Sequence, residues 1–362
     1  MTRRMLAAAV AVLVTLGLAA GCATPSVDAA TSDTLIGLLL PESKAARYES
    51  VDRPSFEETV ERRCPDCKVL YANADQDAAR QEQQAESLLT QGVGVLVIDA
   101  VDAVAAASIV ERAHDRGVPV IGYDRFISDA RLDYYVGVDG TRVGWLQGNA
   151  LVTALARQRT GPSDERDGIL VVNGSPTDPN SAQFARGLHQ AIAGAPIDVL
   201  ASYDVPDWSP DKTQAWVSDQ LTQFGDRVRA VYAANDGEAG GAISAMRAAG
   251  FDPVPPVTGQ DAELAAIQRI ISGDQLMTVY RALSEQGRSA AELAVRVLRG
   301  EKPVTTARIQ GVPALLLAPV AVDITNVRRV IVDGGVLTTE EICVEPYRKA
   351  CEQAGLLDGS DG

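Results

Sequence analysis

The sequence predicts an α/β protein of two doubly wound parallel-sheet lobes joined by a three-strand hinge. Two stretches end alike, Val118-Pro-Val-Ile-Gly-Tyr-Asp124 and Val254-Pro-Pro-Val-Thr-Gly-Gln-Asp261. Each is a short apolar run that stops at a glycine and then presents a carboxylate. Each also follows a strand-like run and a helix-like run, opened by Val93–Ile98 in one half and Val228–Ala233 in the other. Upstream, Leu88-Leu-Thr-Gln91 echoes Gln220-Leu-Thr-Gln223, so a strand–helix–strand unit occurs twice. Length agrees: about 340 residues beyond the leader exceed what one hydrophobic core usually spans. Ligands in open parallel sheets sit beyond the carboxyl ends of the strands. Two such sheets facing one another place Asp124 and Asp261 on opposite walls of one cleft.

Residues 1–21 read as a secretory signal. Arg3 and Arg4 precede an apolar run from Met5 to Ala20, too short and wrongly flanked for a membrane span. The run closes with Leu18-Ala-Ala-Gly-Cys22, which resembles a bacterial lipobox, small residues for the peptidase and then a cysteine to carry lipid. Residues 22–32 are small and polar, a tether below an acyl anchor on Cys22. This places the protein outside the cytoplasm, lipid-anchored to the cell membrane.

The fold then begins. Thr34–Leu40 is a buried-strand run closed by Pro41, Ser55–Arg63 a helix, and Lys68–Ala72 the second strand. Asp75 and Asp77 offer caps for a helix through Gln91, whose middle is rich in good helix formers. Asp102–Arg116 reads as another helix, with Val101, Ala105, Ile109 and Ala113 recurring at i+4 and Gly117 stopping it. Leu132–Val138 is a further strand. After Asp139 the pattern restarts: a helix over Thr141–Arg157, a polar loop over Gly161–Asp167, and a strand over Gly168–Asn173. Helices follow at Asp178–Ala193 and Asp211–Gln223, with a strand over Asp198–Tyr203 between them. The second repeat comes next, then a strand over Gln275–Tyr280 and a helix over Ser284–Arg299 that Gly300 ends. The alternation implies parallel sheets with helices on both faces. Residues 33–139 and 284–312 make the N-terminal lobe, 140–283 and 313–342 the C-terminal lobe, and 343–362 a tail. Short crossovers are expected near Val138–Thr141, Arg281–Leu283 and Val312–Leu317, a hinge that bends without unravelling.

Four cysteines follow Cys22: Cys64, Cys67, Cys343 and Cys351. An even number in an exported chain points to disulfides, and four cysteines allow three connectivities. Proximity in sequence favours Cys64–Cys67 and Cys343–Cys351. A zinc site is a weaker reading of Cys-Pro-Asp-Cys, since the four thiolates are split far apart along an exported chain, and a thioredoxin-like pair is weaker still, since Cys64 follows a helix instead of opening one.

Charge and motifs exclude much else. A formal net charge of −15, with two of the basic residues in the leader, repels nucleic acid. The two histidines, His114 and His189, fall mid-helix among polar neighbours, and no catalytic triad can be assembled around them. There is no G-x-S-x-G, P-loop, G-x-G-x-x-G or metal-binding His pair, so neither a cofactor, a metal nor a catalytic residue is expected. The strand ends offer something different, planar polar groups beside aromatics: Arg47-Tyr48, Tyr123-Asp124-Arg125, Asp178 and Asn180, Trp208, Asn235-Asp236, Asp261 and Tyr280-Arg281. Any one alone reads as a helix cap or a surface charge. Together they suit a sugar, whose vicinal hydroxyls fit the fork of a carboxylate, amide or guanidinium.

At these residues the chain resembles the periplasmic sugar-binding proteins of ribose/galactose type, which feed ABC transporters. The segments that carry the resemblance are Ala46-Arg-Tyr48, Ile121–Arg125, Asn173-Gly-Ser-Pro-Thr-Asp-Pro-Asn180, Ala234–Ala242, Gly259-Gln-Asp-Ala-Glu-Leu264 and Met277–Tyr280. Asn235-Asp236 looks like the xylose-binding branch, and Pro41–Arg47 and Ile331–Gly335 like the multiple-sugar branch. The resemblance implies a type I periplasmic-binding-protein fold. It implies a monomer that binds a monosaccharide and hands it to ABC-transporter permease subunits. It also implies ligand contacts from Arg47, Tyr48, Asp124, Arg125, Asn180, Trp208, Asn235, Asp261 and Arg281. The four cysteines lie outside it.

Two alternatives compete. An extracellular glycoside hydrolase could use Asp124 and Asp261 as paired carboxylates, one with a raised pKa. Against it, Arg125 and Arg281 are expected beside those carboxylates and would lower their pKa values. A sugar-sensing lipoprotein that presents its closed form to a membrane receptor is the other.

Overall fold

The computed structural model describes residues 32–128, 130–159 and 166–357. The signal sequence, Cys22, nearly all of the tether and most of the polar loop at 161–167 lie outside the described residues. Ser32, the last residue assigned to the tether, already belongs to the first strand.

The first half builds β1 (Ser32–Leu40), α1 (Arg53–Arg63), β2 (Lys68–Asn73), α2 (Ala78–Thr90), β3 (Val93–Ile98), α3 (Ala107–Asp115), β4 (Val120–Tyr123) and β5 (Tyr134–Val138). Side chains on a strand alternate between faces, and β1 uses both. Ile36, Leu38 and Leu40 pack with Phe56 and Val60 of α1. Leu39 packs on the other face with Leu88 and Leu89 of α2 and Ile109 and Val110 of α3. Burial on both faces accounts for the uninterrupted apolar run. Asp77 caps α2, its carboxylate accepting from the Arg80 N–H.

The second half contains α4 (Gly140–Gln158), β6 (Asp167–Asn173), α5 (Pro179–Ile192), β7 (Ile197–Asp204), α6 (Pro210–Phe224), β8 (Val228–Ala233), α7 (Asp236–Ala248), α8 (Leu264–Ser272) and β9 (Thr278–Tyr280). Strands β7, β6 and β8 form a three-stranded parallel sheet in that order. Leu151 and Leu155 of α4 and Phe184 and Leu188 of α5 cover one face. Val217 of α6 and Ala242 and Met246 of α7 cover the other.

The chain returns through α9 (Leu283–Leu298), β10 (Ala307–Ile309), β11 (Val312–Leu317) and β12 (Val320–Val322). Helix α9 packs on the first sheet, where Ala290, Leu293 and Ala294 join Ile36 and Val95. Strand β11 pairs in parallel with β5, and β10 pairs with it as an antiparallel edge. The seven-stranded order is β10-β11-β5-β4-β3-β1-β2. Residues 313–317 therefore belong with the first lobe and not, as the sequence suggested, with the second. The chain passes between lobes after β5, after β9 and between β11 and β12, where Val320–Val322 pairs with β9.

Two short helices, α10 (Thr339–Ile342) and α11 (Arg348–Gln353), follow. The Cys343–Cys351 disulfide joins them, and Cys64–Cys67 closes the other local pair. The tail is not loose up to residue 357. Ile342, Cys351 and Leu356 pack against Ile267, Ile270 and Ile271 of α8.

Candidate functional site

All nine sequence-predicted ligand contacts line one cavity between the two sheets. Arg47 sits beyond β1, in the segment that turns into α1. Its Nε and Nη2 donate to the two oxygens of Asp52 at 2.9 and 2.6 Å, which leaves Nη1 to reach Asp124 Oδ2 at 2.7 Å. Burial opposes its charge, but Asp52 and Asp124 hold its pKa well above the usual value. Its guanidinium lies over the Tyr48 ring, 4.7 Å from the centroid.

Asp124 follows β4 with φ +58°, a left-handed conformation uncommon for a non-glycine residue. The surroundings impose it. Its N–H donates to Val136 O at 2.8 Å, and its carbonyl accepts from Tyr135 OH at 2.6 Å. Arg281 Nη1 and Nη2 donate to Oδ1 and Oδ2 of Asp124 at 3.0 and 3.3 Å, while Arg281 Nε donates to Asp261 Oδ1 at 2.9 Å. The carboxylates of the two repeats, Asp124 beyond β4 and Asp261 after the single bridge from Val257 to β8, thus share one guanidinium. Asp261 has φ +102°. The sequence reading expected neighbouring arginines to lower both pKa values. At Asp261 burial outweighs Arg47, and the carboxyl titrates well above its ordinary range.

Arg125 also departs from expectation. Its Nε pairs with Asp178 at 2.8 Å and Asp99 at 3.5 Å, not with Asp124. Its Nη1 donates to Ala100 O at 3.0 Å. Burial raises the pKa of Asp99 and of Asp178, with Arg125 opposing in both. Asp178 also caps α5, accepting from Asn180 N–H at 2.8 Å. Asn180 Nδ2 donates to Asp124 at 3.3 Å, and Asn180 Oδ1 is buried without a partner.

Trp208 has φ +57°, and its Nε1 is likewise buried and unpartnered. Its ring occupies the space a side chain on residue 174 would need: a Cβ on Gly174 would meet Trp208 Cη2 at 1.8 Å. Asn235 is cap and cavity wall at once. Its Oδ1 accepts from Glu238 N–H at 2.8 Å and Glu238 Oε2 accepts from Asn235 N–H at 3.3 Å, a reciprocal capping box.

Four cavity residues were not legible as such: Glu42, Ala45, Phe184 and Gln260. Glu42 follows Pro41 at the end of β1, and burial raises its pKa. Gln260 stands between Gly259 and Asp261, so the strand-end rule that found Asp261 reached within one residue of it.

The cavity is closed over. Lys44, beyond β1, forms an ion pair with Asp207, beyond β7. Thr177 Oγ1 donates to Val101 O at 3.0 Å, and Ala103 N–H donates to Thr177 O at 3.3 Å. Among the described residues, no group of three or more His, Cys, Asp or Glu could hold a metal ion.

This fold and this interlobe site define a two-lobed binding protein, and residues 36–302 match the model of the periplasmic binding protein domain. The chain belongs to that family and is a substrate-binding protein, not an enzyme. It is 34% identical to the D-xylose-binding periplasmic protein of Haemophilus influenzae, with 88% of this chain and 94% of that one aligned. It is 31% identical to the multiple sugar-binding periplasmic receptor of Rhizobium radiobacter, covering 74% of this chain and 81% of the relative. Among solved structures it is similar to a carbohydrate transporter solute binding protein from Chloroflexus aurantiacus in complex with D-glucose. That match has a TM-score of 0.75 and 25% identity over 84% of this chain and 97% of the other.

Proposed function

We propose that the chain is an extracytoplasmic monosaccharide-binding lipoprotein. It takes up a xylose-like pentose or a related aldose by hinge closure and delivers it to an ABC permease. One observation carries the reading: amides, carboxylates, guanidiniums and aromatics from both sheets meet around one closed cavity, and Asn180 Oδ1, Gln260 Oε1 and Trp208 Nε1 are buried there without a protein partner. Asn180 and Gln260 contribute acceptor oxygens and Trp208 a donor N–H, the complement of hydroxyls that both donate and accept. Relatives that bind xylose and several sugars support the ligand class. The lipobox-like Leu18–Cys22 supports the anchor.

A thermal-shift screen of the chain without its leader tests this against D-xylose, D-glucose, polyols and amino acids. An aldose at a hundred times its dissociation constant should add about 2.7 kcal/mol. Stabilisation by amino acids alone would overturn the reading. Fractionation of cells making the full chain or Cys22→Ala should find only the former in the membrane.

A further inference from the structure

We propose that Gln260 is a specificity-determining residue of this cavity, its amide oxygen accepting a hydrogen bond from one ligand hydroxyl; this rests on the sugar-binding reading above. Gln260 lines the cavity, is only 2% exposed, and its Oε1 has no hydrogen-bond partner. A buried acceptor left unmade is costly, so folded proteins seldom keep one without a use. The glutamines beside it are satisfied. Gln147 Nε2 donates to Ala233 O and Gly259 O at 2.9 and 3.1 Å, and its Oε1 accepts from Tyr232 OH at 3.0 Å. Gln275 Nε2 donates to Asp236 Oδ1 at 2.9 Å, and its Oε1 accepts from Arg269 Nε at 2.9 Å.

The backbone of Gln260 is fixed from both sides. Its carbonyl accepts from Asp236 N–H at 3.0 Å, Gly259 O accepts from Val279 N–H at 3.0 Å, and Asp261 N–H donates to Val279 O at 2.9 Å. Gly259 cannot change, because a Cβ there would meet Asp236 Oδ1 at 2.0 Å. A side chain carried on so constrained a segment is preorganised for whatever enters the cavity.

The ligand chemistry follows from which groups are engaged. Arg47 pairs with three carboxylates, and Arg125 and Arg281 with two each. Apart from Arg125 Nε, which is ion-paired with Asp178, the wall atoms without a hydrogen bond are two amide oxygens and one indole N–H. A ligand hydroxyl can donate to Gln260 Oε1, while Nε2 of the same amide can donate to a ligand oxygen. The position therefore reads one hydroxyl of a polyhydroxyl ligand.

Gln260→Met removes the amide at similar volume. Calorimetric titration with D-xylose and D-glucose should show affinity reduced about tenfold or more. The unliganded melting point should not fall, because an unpaired polar group has been replaced by an apolar one. Among monodeoxy analogues of the better-bound sugar, one should bind the parent weakly yet lose nothing further in Gln260→Met. Parental affinity in the variant overturns the proposal. So does a lowered melting point with unchanged binding, or a loss shared equally by every analogue. If the parent binds neither aldose, the sugar reading itself fails.

Discussion

Asp124 receives Arg47, Arg281 and Asn180 on one carboxylate that is 3% exposed. From sequence it is a carboxylate at a strand end, free to meet a ligand. The sequence put Arg125 and Arg281 near the two carboxylates, but not Arg47 and Arg281, 77 and 157 positions away in the chain, together on Asp124. Spacing along a strand shows which residues reach its end, not which charges the other lobe brings to meet them. The consequence is energetic. Asp124→Ala leaves two buried guanidiniums each short of one partner, and breaking a buried pair costs about 3–5 kcal/mol. Because Arg47 keeps Asp52 and Arg281 keeps Asp261, we expect a loss near the lower figure. Urea unfolding of the unliganded protein should show it, alongside loss of sugar binding. An unchanged unfolding midpoint would mean that the guanidiniums relax to other partners.

Elements were legible wherever local chemistry decided them and were misjudged wherever it competed. Helix α3 begins at Ala107 and not at Asp102. The Asp102 carboxylate instead accepts from the Val104 and Ala105 N–H groups at 2.9 and 3.0 Å, holding a turn. Residues 254–261, expected to mirror β4, make a single bridge between Val257 and Val231. Pro255 and Pro256 have no N–H to donate, so no continuous ladder can form there. The α4–α5 contact depended on two glycines that periodicity does not mark. A Cβ on Gly144 would stand 1.9 Å from Phe184 O, and one on Gly187 would stand 2.1 Å from Thr141 O. Backbone cannot yield as a flexible side chain can. Gly144→Ala should therefore cost about 3 kcal/mol, the upper end for overpacking. The denaturation midpoint should shift at unchanged slope. A midpoint within a few tenths of a kcal/mol of the parent would show that the helices can part.

At the scale of the whole molecule, buried carboxyls set the pH response. Burial pushes Glu263 up to about 7 and Asp236 up to about 6. In the unfolded chain both would titrate near 4. Between about pH 4 and 7 the native state therefore holds protons that the unfolded state has released, and stability falls as pH rises through that window. Glu42, Asp99, Asp178, Glu238 and Asp261 are raised in the same direction by burial. The unliganded protein should melt higher at about pH 5.5 than at about pH 8, as scanning calorimetry in matched ionic strength would show. A profile that is flat, or that rises toward pH 8, would count against Glu263 and Asp236 being protonated in the fold.

Arg281 follows β9 directly and precedes Ala282, which has φ +53° where the chain leaves for α9. It therefore stands on the fulcrum of the lobes, whereas Lys44 and Asp207 stand at the rim. When two bodies swing about an axis, a point on the axis hardly travels and a point at the rim sweeps the widest arc. A sugar held by Arg281, Asp124 and Asp261 would keep its rear contacts through the first part of opening and lose its front ones at once. Arrival and departure would then be ordered: the guest is seated at the back before the gate shuts, and is still seated there when the gate swings away.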